Sequence, residues 1–148
     1  MAGKIPKECM MKEIDTIQGV INRMASNSFL MKGWAVTLVS VTLLLKGDNY
    51  QVYIAFIPLL TFWYLDAYFL RLERAYRKLY SWVIQNRLNT DELLFDMNAS
   101  GRFGSEVQSR WRIMFSETLS IFYGAILLLI IIYIIYLNWN FLIKLWGG

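Results

Sequence analysis

The residue best placed to do chemistry is Asp66, an aspartate set inside an otherwise apolar run from Tyr50 to Leu70. If that run crosses a bilayer, the charge costs about 2.5–3.5 kcal/mol near a helix centre on insertion scales, and it requires a partner. Spacing suggests Lys32: two long antiparallel helices that turn near residue 49 place residues 32 and 66 opposite each other, at the inner membrane boundary. Three roles stay open for the pair. It is a structural ion pair that sets the hairpin register, a gate or conduction-path carboxylate in an oligomer, or part of a proton relay. The relay is disfavoured because no other acid lies within a span. A pair held by charge alone should tolerate exchange of its two charges.

Much other chemistry is excluded. The chain has no histidine and a single cysteine, Cys9. That removes imidazole acid–base catalysis, Cys/His catalytic pairs, zinc sites built on Cys and His, and any internal disulfide. Cys9 therefore reads as a free thiol, and neither an enzyme nor a cofactor or metal is expected. Of the 148 residues 57% are hydrophobic and 18% charged. A soluble domain carries about 45–50% apolar and about 25% charged residues. The apolar excess therefore belongs in a bilayer, and the length allows one folding unit.

Three stretches must hold these residues in place. Residues 29–46, 50–70 and 118–138 are expected as membrane spans, each near the ~20 residues that a ~30 Å hydrocarbon layer demands. The first is short between Lys32 and Lys46, whose ammonium groups can snorkel to the interfaces. No signal-peptide cleavage site follows it, so the hairpin reads as a retained anchor. Pro58 is expected to kink the second span. Lys and Arg crowd the segments before the first span and between the second and third, which predicts the N-terminus inside and the C-terminus outside. Trp34, Trp63, Trp139 and Trp146 fall near span ends, as an aromatic belt requires.

The fold class expected is all-α: a long helical hairpin plus a third long helix, each partly cytoplasmic (about 8–28, 71–88 and 105–117), in one domain over 1–148. Met10, Ile14, Ile17, Ile21 and Met24 recur at heptad-like spacing, as do Leu65, Phe69, Leu72, Tyr76, Leu79 and Val83. The hairpin helices are expected at roughly 8–46 and 50–88, joined by a Lys46–Asn49 turn. Asn89, Thr90 and Asp91 predict a short helix through Met97. Asn98–Gly104 reads as a loop. Ser105 with Gln108 forms a capping box that starts the third helix.

Within this frame, Gly33, Thr37 and Ser40 share one face of the first span. Small and hydroxylated residues let membrane helices approach, within a protomer or between protomers, and lining of a wet pore is the alternative. Arg71, Arg74, Arg77 and Lys78 lie just inside the membrane and suit anionic headgroups. A phosphate-bearing ligand such as a nucleotide messenger is the alternative. Ser100, Gly101 and Arg102 supply the parts of an anion site, which are also those of an ordinary turn. The sequon Asn98-Ala99-Ser100 falls on the cytoplasmic side and reads as chance. No direct nucleic-acid binding is expected.

The stretches KGWAVTLVSVTLLL (32–45) and FWYLDAYFLRLERAYRKLY (62–80) resemble small bacterial inner-membrane proteins associated with anti-phage defence loci. More loosely, they resemble the two-span effector domains of nucleotide second-messenger systems. The shared features are the Lys-Gly-Trp start, the Asp-Ala-Tyr exit and the basic helix after it. The chain departs from the pattern in ending on a strong third span where a soluble sensor domain would stand. The resemblance implies a defence-linked membrane effector, whereas composition and spacing alone give a membrane protein with oligomerising helices. The first expectation is an effector that oligomerises and perturbs or depolarises the inner membrane when triggered, with a cytoplasmic defence partner or nucleotide messenger. A non-conducting anchor that recruits a cytoplasmic partner is the second expectation, and a transporter a distant third.

Overall fold

The computed structural model describes residues 7–45, 51–92 and 94–138, and every regular element among them is helical. Helix α1 spans Lys7–Leu44, a 3₁₀ turn spans Gln51–Ala55, and α2 spans Phe56–Asn86. Short helices α3 (Ala99–Phe103) and α4 (Arg110–Met114) follow, then α5 (Glu117–Leu137). The expected turn residues Lys46–Asn49 and the belt residues Trp139 and Trp146 lie outside the described residues.

Helices α1 and α2 form the antiparallel hairpin along their whole length. At 1.5 Å per residue α1 is about 57 Å long, nearly twice a hydrocarbon layer, whereas α5 at about 31 Å matches one. Three segments are long and apolar enough to cross a membrane: Lys7–Leu44, Gln51–Asn86 and Glu117–Leu137. Several hydroxyl side chains on the long helices are satisfied locally. Thr37 donates to the Gly33 carbonyl at 2.9 Å and Thr42 to the Leu38 carbonyl at 2.8 Å. Such i−4 bonds let hydroxyls sit in apolar surroundings without stranding a donor.

The core has two parts. In the apolar half, Ala35 and Val39 of α1 meet Leu59, Trp63 and Ala67 of α2 and Leu119, Tyr123, Ile126 and Ile130 of α5. In the polar half, Ile17 and Ile21 pack on Ala75, Leu79 and Val83, with Ala99 and Phe103 of α3 closing the side. Of the expected seam, Ile17, Ile21, Leu79 and Val83 are buried, but Leu65, Phe69 and Leu72 are only half-buried. There α2 turns Trp63, Asp66 and Ala67 inward instead, because α5 also packs on it and needs the Trp63 side.

Several local expectations are corrected. Pro58 lies in the first turn of α2, directly after the 3₁₀ turn, so the apolar segment Gln51–Asn86 changes helix type beside it. A proline there forfeits an amide that a first turn leaves unpaired anyway, and tighter winding before it relieves the ring. Residues 89–92 and 94–97 form turns and irregular chain, not a helix, because their backbone is drawn onto Arg87 and Glu13 (below). Asn98 caps α3, its side chain accepting from the Gly101 amide at 3.0 Å, so part of the expected loop is helical. Ser105 starts no helix: the Gln108 carbonyl accepts from Arg71 Nε at 3.3 Å and its side chain from Arg74 Nη1 at 3.1 Å. The cap is Ser109, and α4 breaks at Phe115–Ser116 before α5 begins, so the third helix is two helices. Trp63 is no belt residue: it is buried, and its indole N–H donates to the Met114 carbonyl at 2.8 Å.

Candidate functional site

Asp66 sits at the junction of α1, α2 and α5 and is fully buried. Lys32 Nζ lies 2.6 Å from Asp66 Oδ2, so the structure places these residues in contact. Two further donors complete the cluster. Ser28, one helical turn before Lys32, donates to Asp66 Oδ1 and accepts from Lys32 Nζ at 3.0 Å. Tyr123 of α5 donates toward Asp66 Oδ2 at 3.1 Å, with the Phe62 carbonyl 3.2 Å away as a second acceptor. A charged oxygen is the stronger acceptor of the two.

The surroundings hold Tyr123 in place. Its ring stacks on Trp63 with centroids 5.5 Å apart and planes 9° apart, and Phe115 meets the other edge of Trp63 at 5.6 Å. The Trp63–Met114 bond ties α2 to α4, so the phenol reaches the carboxylate from a braced position. All three donors to Asp66 come from the same chain, one from each of three side chains on two helices. The cluster therefore locks α5 onto the hairpin. Only Lys32 opens outward, its side chain 24% exposed. Sequence reasoning reached Lys32 and Asp66 but not Ser28 or Tyr123. Ser28 carried an i−4 signal relative to Lys32, whereas nothing local distinguishes Tyr123 from Tyr133 and Tyr136.

A second buried pair lies at the far end of the hairpin and was missed. Arg87 is 0% and Glu13 1% exposed by side chain. The guanidinium grips the carboxylate with two bonds, Nε to Oε2 at 2.6 Å and Nη2 to Oε1 at 2.7 Å. Such a bidentate geometry is the strongest arrangement for this pair. Arg87 Nη1 also donates to the Glu92 carbonyl at 2.7 Å, and the Phe95 amide donates to Glu13 Oε1 at 3.1 Å. Phe95 has φ 56°, a left-handed backbone that costs a bulky residue about 1–3 kcal/mol unless its surroundings impose it. Glu13 and Arg87 impose it here. The signal existed: these two residues are equidistant from residue 50, as Lys32 and Asp66 are from residue 49.

The expected basic cluster is divided. Arg71 donates to the Gly104 carbonyl at 2.9 Å and to that of Gln108, stapling the α3–α4 connection to α2. Gly104 itself admits no side chain, since a Cβ would lie 2.1 Å from the Ser100 carbonyl oxygen. Arg77 pairs with Glu73 at 2.7 Å and Lys78 with Glu106 at 3.6 Å. Arg74, Arg77 and Lys78 line a groove of ≈ 330 Å³ with Ser81, Glu106 and Gln108. Arg102 is not part of it: it pairs with Glu92 at 3.2 Å and lies 5.1 Å from the Trp82 ring centroid.

Gly33, Thr37 and Ser40 are exposed. The packing inside the protomer is done by the neighbouring face, Ser28, Ala35 and Val39, so the intramolecular use expected of the small-residue face is corrected. Among the described residues no group of three His, Cys, Asp or Glu side chains is placed to hold a metal ion. Compared with protein-family models, with curated proteins and with solved structures, the chain matches none.

Proposed function

We propose that the chain is a multi-pass protein of the bacterial inner membrane, N-terminus cytoplasmic and C-terminus periplasmic, that works as a homo-oligomer. In this reading it is a defence-associated effector that breaches the permeability barrier when triggered. The observation that carries the reading is the open face of α1. Gly33, Thr37 and Ser40 stand exposed in a girdle otherwise made of Phe29, Leu30, Trp34, Val36, Leu38 and Val41. In lipid, where apolar surface alone does not drive helices together, small residues on an outer face favour contact with another helix. Asp66 is already engaged by three donors of its own chain, so an aqueous path would run between protomers and not through one.

The second reading is a non-conducting anchor that recruits a cytoplasmic partner. The ordered polar half, with its groove of Arg74, Arg77 and Lys78, supports it. Membrane potential under controlled expression separates the two. Rapid dye-reported depolarisation with growth arrest supports the effector, and normal potential at high expression leaves the anchor.

A further inference from the structure

We propose that the cleft between α2 and the start of α4 binds the phosphate group of an anionic phospholipid. It holds ≈ 430 Å³ and is lined by Tyr64, Arg71, Ser109, Arg110 and Trp111. The proposal rests on the three-span reading above, since it needs this end of α2 at a membrane surface.

Charge is the first argument. The lining carries two guanidinium groups and no carboxylate. In the groove further along α2, by contrast, Lys78 meets Glu106, and Arg77 is held by Glu73. Arg110 donates to the Tyr64 hydroxyl, and its guanidinium lies 5.7 Å and 5.8 Å from the ring centroids of Tyr64 and Tyr68. Aromatic faces hold a cation in place while leaving its edge donors free for a planar, bidentate contact with phosphate oxygens. Arg71 uses Nε and Nη2 on backbone carbonyls, which fixes it and leaves Nη1 for a ligand.

Depth is the second argument, and it selects lipid over free phosphate. Asp66 and Lys32 mark the end of the apolar half, and Arg71 stands about 7.5 Å further along the helix axis. A headgroup layer is about 5–8 Å thick on each side of the hydrocarbon. Trp111, which lines the cleft, is 65% exposed, which suits a ring at headgroup level beside glycerol and upper acyl chain.

The test places full-length protein in nanodiscs of phosphatidylcholine with a minor fraction of phosphatidylglycerol, and counts the lipid retained on release by native mass spectrometry. The wild type should retain phosphatidylglycerol over phosphatidylcholine. Arg110→Gln should weaken that retention about fivefold, the effect of one cation near an anionic surface. Arg77→Gln should leave it unchanged. Arg110 is exposed, so the variant should unfold at the wild-type temperature. Millimolar inorganic phosphate should not displace the lipid. Equal retention in Arg110→Gln and wild type, or no preference for phosphatidylglycerol after insertion, would overturn this site alone. Displacement by inorganic phosphate would make it a free-anion site and overturn the lipid assignment. Failure of the protein to insert would overturn the three-span reading and this site with it.

Discussion

Removing the two ends of the Lys32–Asp66 pair should not have equal effects. Lys32→Met leaves a carboxylate that is 0% exposed with only Ser28 and Tyr123 as donors. Breaking a buried pair from one side costs about 3–5 kcal/mol; with two donors retained, about 2–3 kcal/mol is expected. Asp66→Leu is milder. The lysine, already 24% exposed, can turn toward water, and Tyr123 still has the Phe62 carbonyl 3.2 Å away. About 1 kcal/mol should be lost. The double variant Lys32→Met with Asp66→Leu should then be more stable than Lys32→Met alone, because no buried charge remains. Exchange of the two charges, which pairing by charge alone would tolerate, should be worse than either single change. It buries an ammonium at position 66, where Ser28 and Tyr123 are arranged as donors. Equilibrium unfolding in mixed detergent–SDS micelles, followed by circular dichroism, gives all four values. If Lys32→Met proves no more damaging than Asp66→Leu, or the exchanged pair matches wild type, the donor arrangement around Asp66 is wrong.

The second buried pair should be the more sensitive: Glu13→Gln should cost about 3–5 kcal/mol. Limited proteolysis should then cut first within residues 88–98, whose carbonyls and Phe95 amide depend on that pair. For topology, in a Cys9→Ser background a cysteine at residue 148 should react with an impermeant reagent in intact cells and one at residue 100 should not; both reacting alike would remove the third span. For assembly, Gly33→Leu should leave protomer stability nearly unchanged, since nothing lies within 4 Å of a Cβ at that position. It should also abolish cross-linking between Ser40→Cys protomers in membranes; unchanged cross-linking would exclude this face as the contact.

Composition and apolar run length by themselves determined the helical class and the three segments of spanning length. The hairpin register was also legible, because two unbroken helices rise equally per residue. Distance from the turn then names opposite partners, Lys32 with Asp66. The same rule reaches Glu13 with Arg87 once buried charges are sought in pairs. Only the tertiary structure decided what lies beyond the hairpin. After Asn86 no continuous helix carries a register forward, so the sequence holds no count that leads from Asp66 to Tyr123. Local signals there were outvoted by long-range donors. Arg71 holds the Gln108 carbonyl, and Arg74 its side chain, out of the helix that Ser105 would have started, and Arg87 with Glu13 keeps residues 89–92 and 94–97 out of a helix. A guanidinium already buried or braced can satisfy carbonyls from a distant segment, and that outweighs the small preference of a cap or a short helix. For the same reason the basic cluster did not act as one: each cation went to the nearest acceptor the fold presented, which left Arg71 beside Arg110, a residue 39 positions away in the chain.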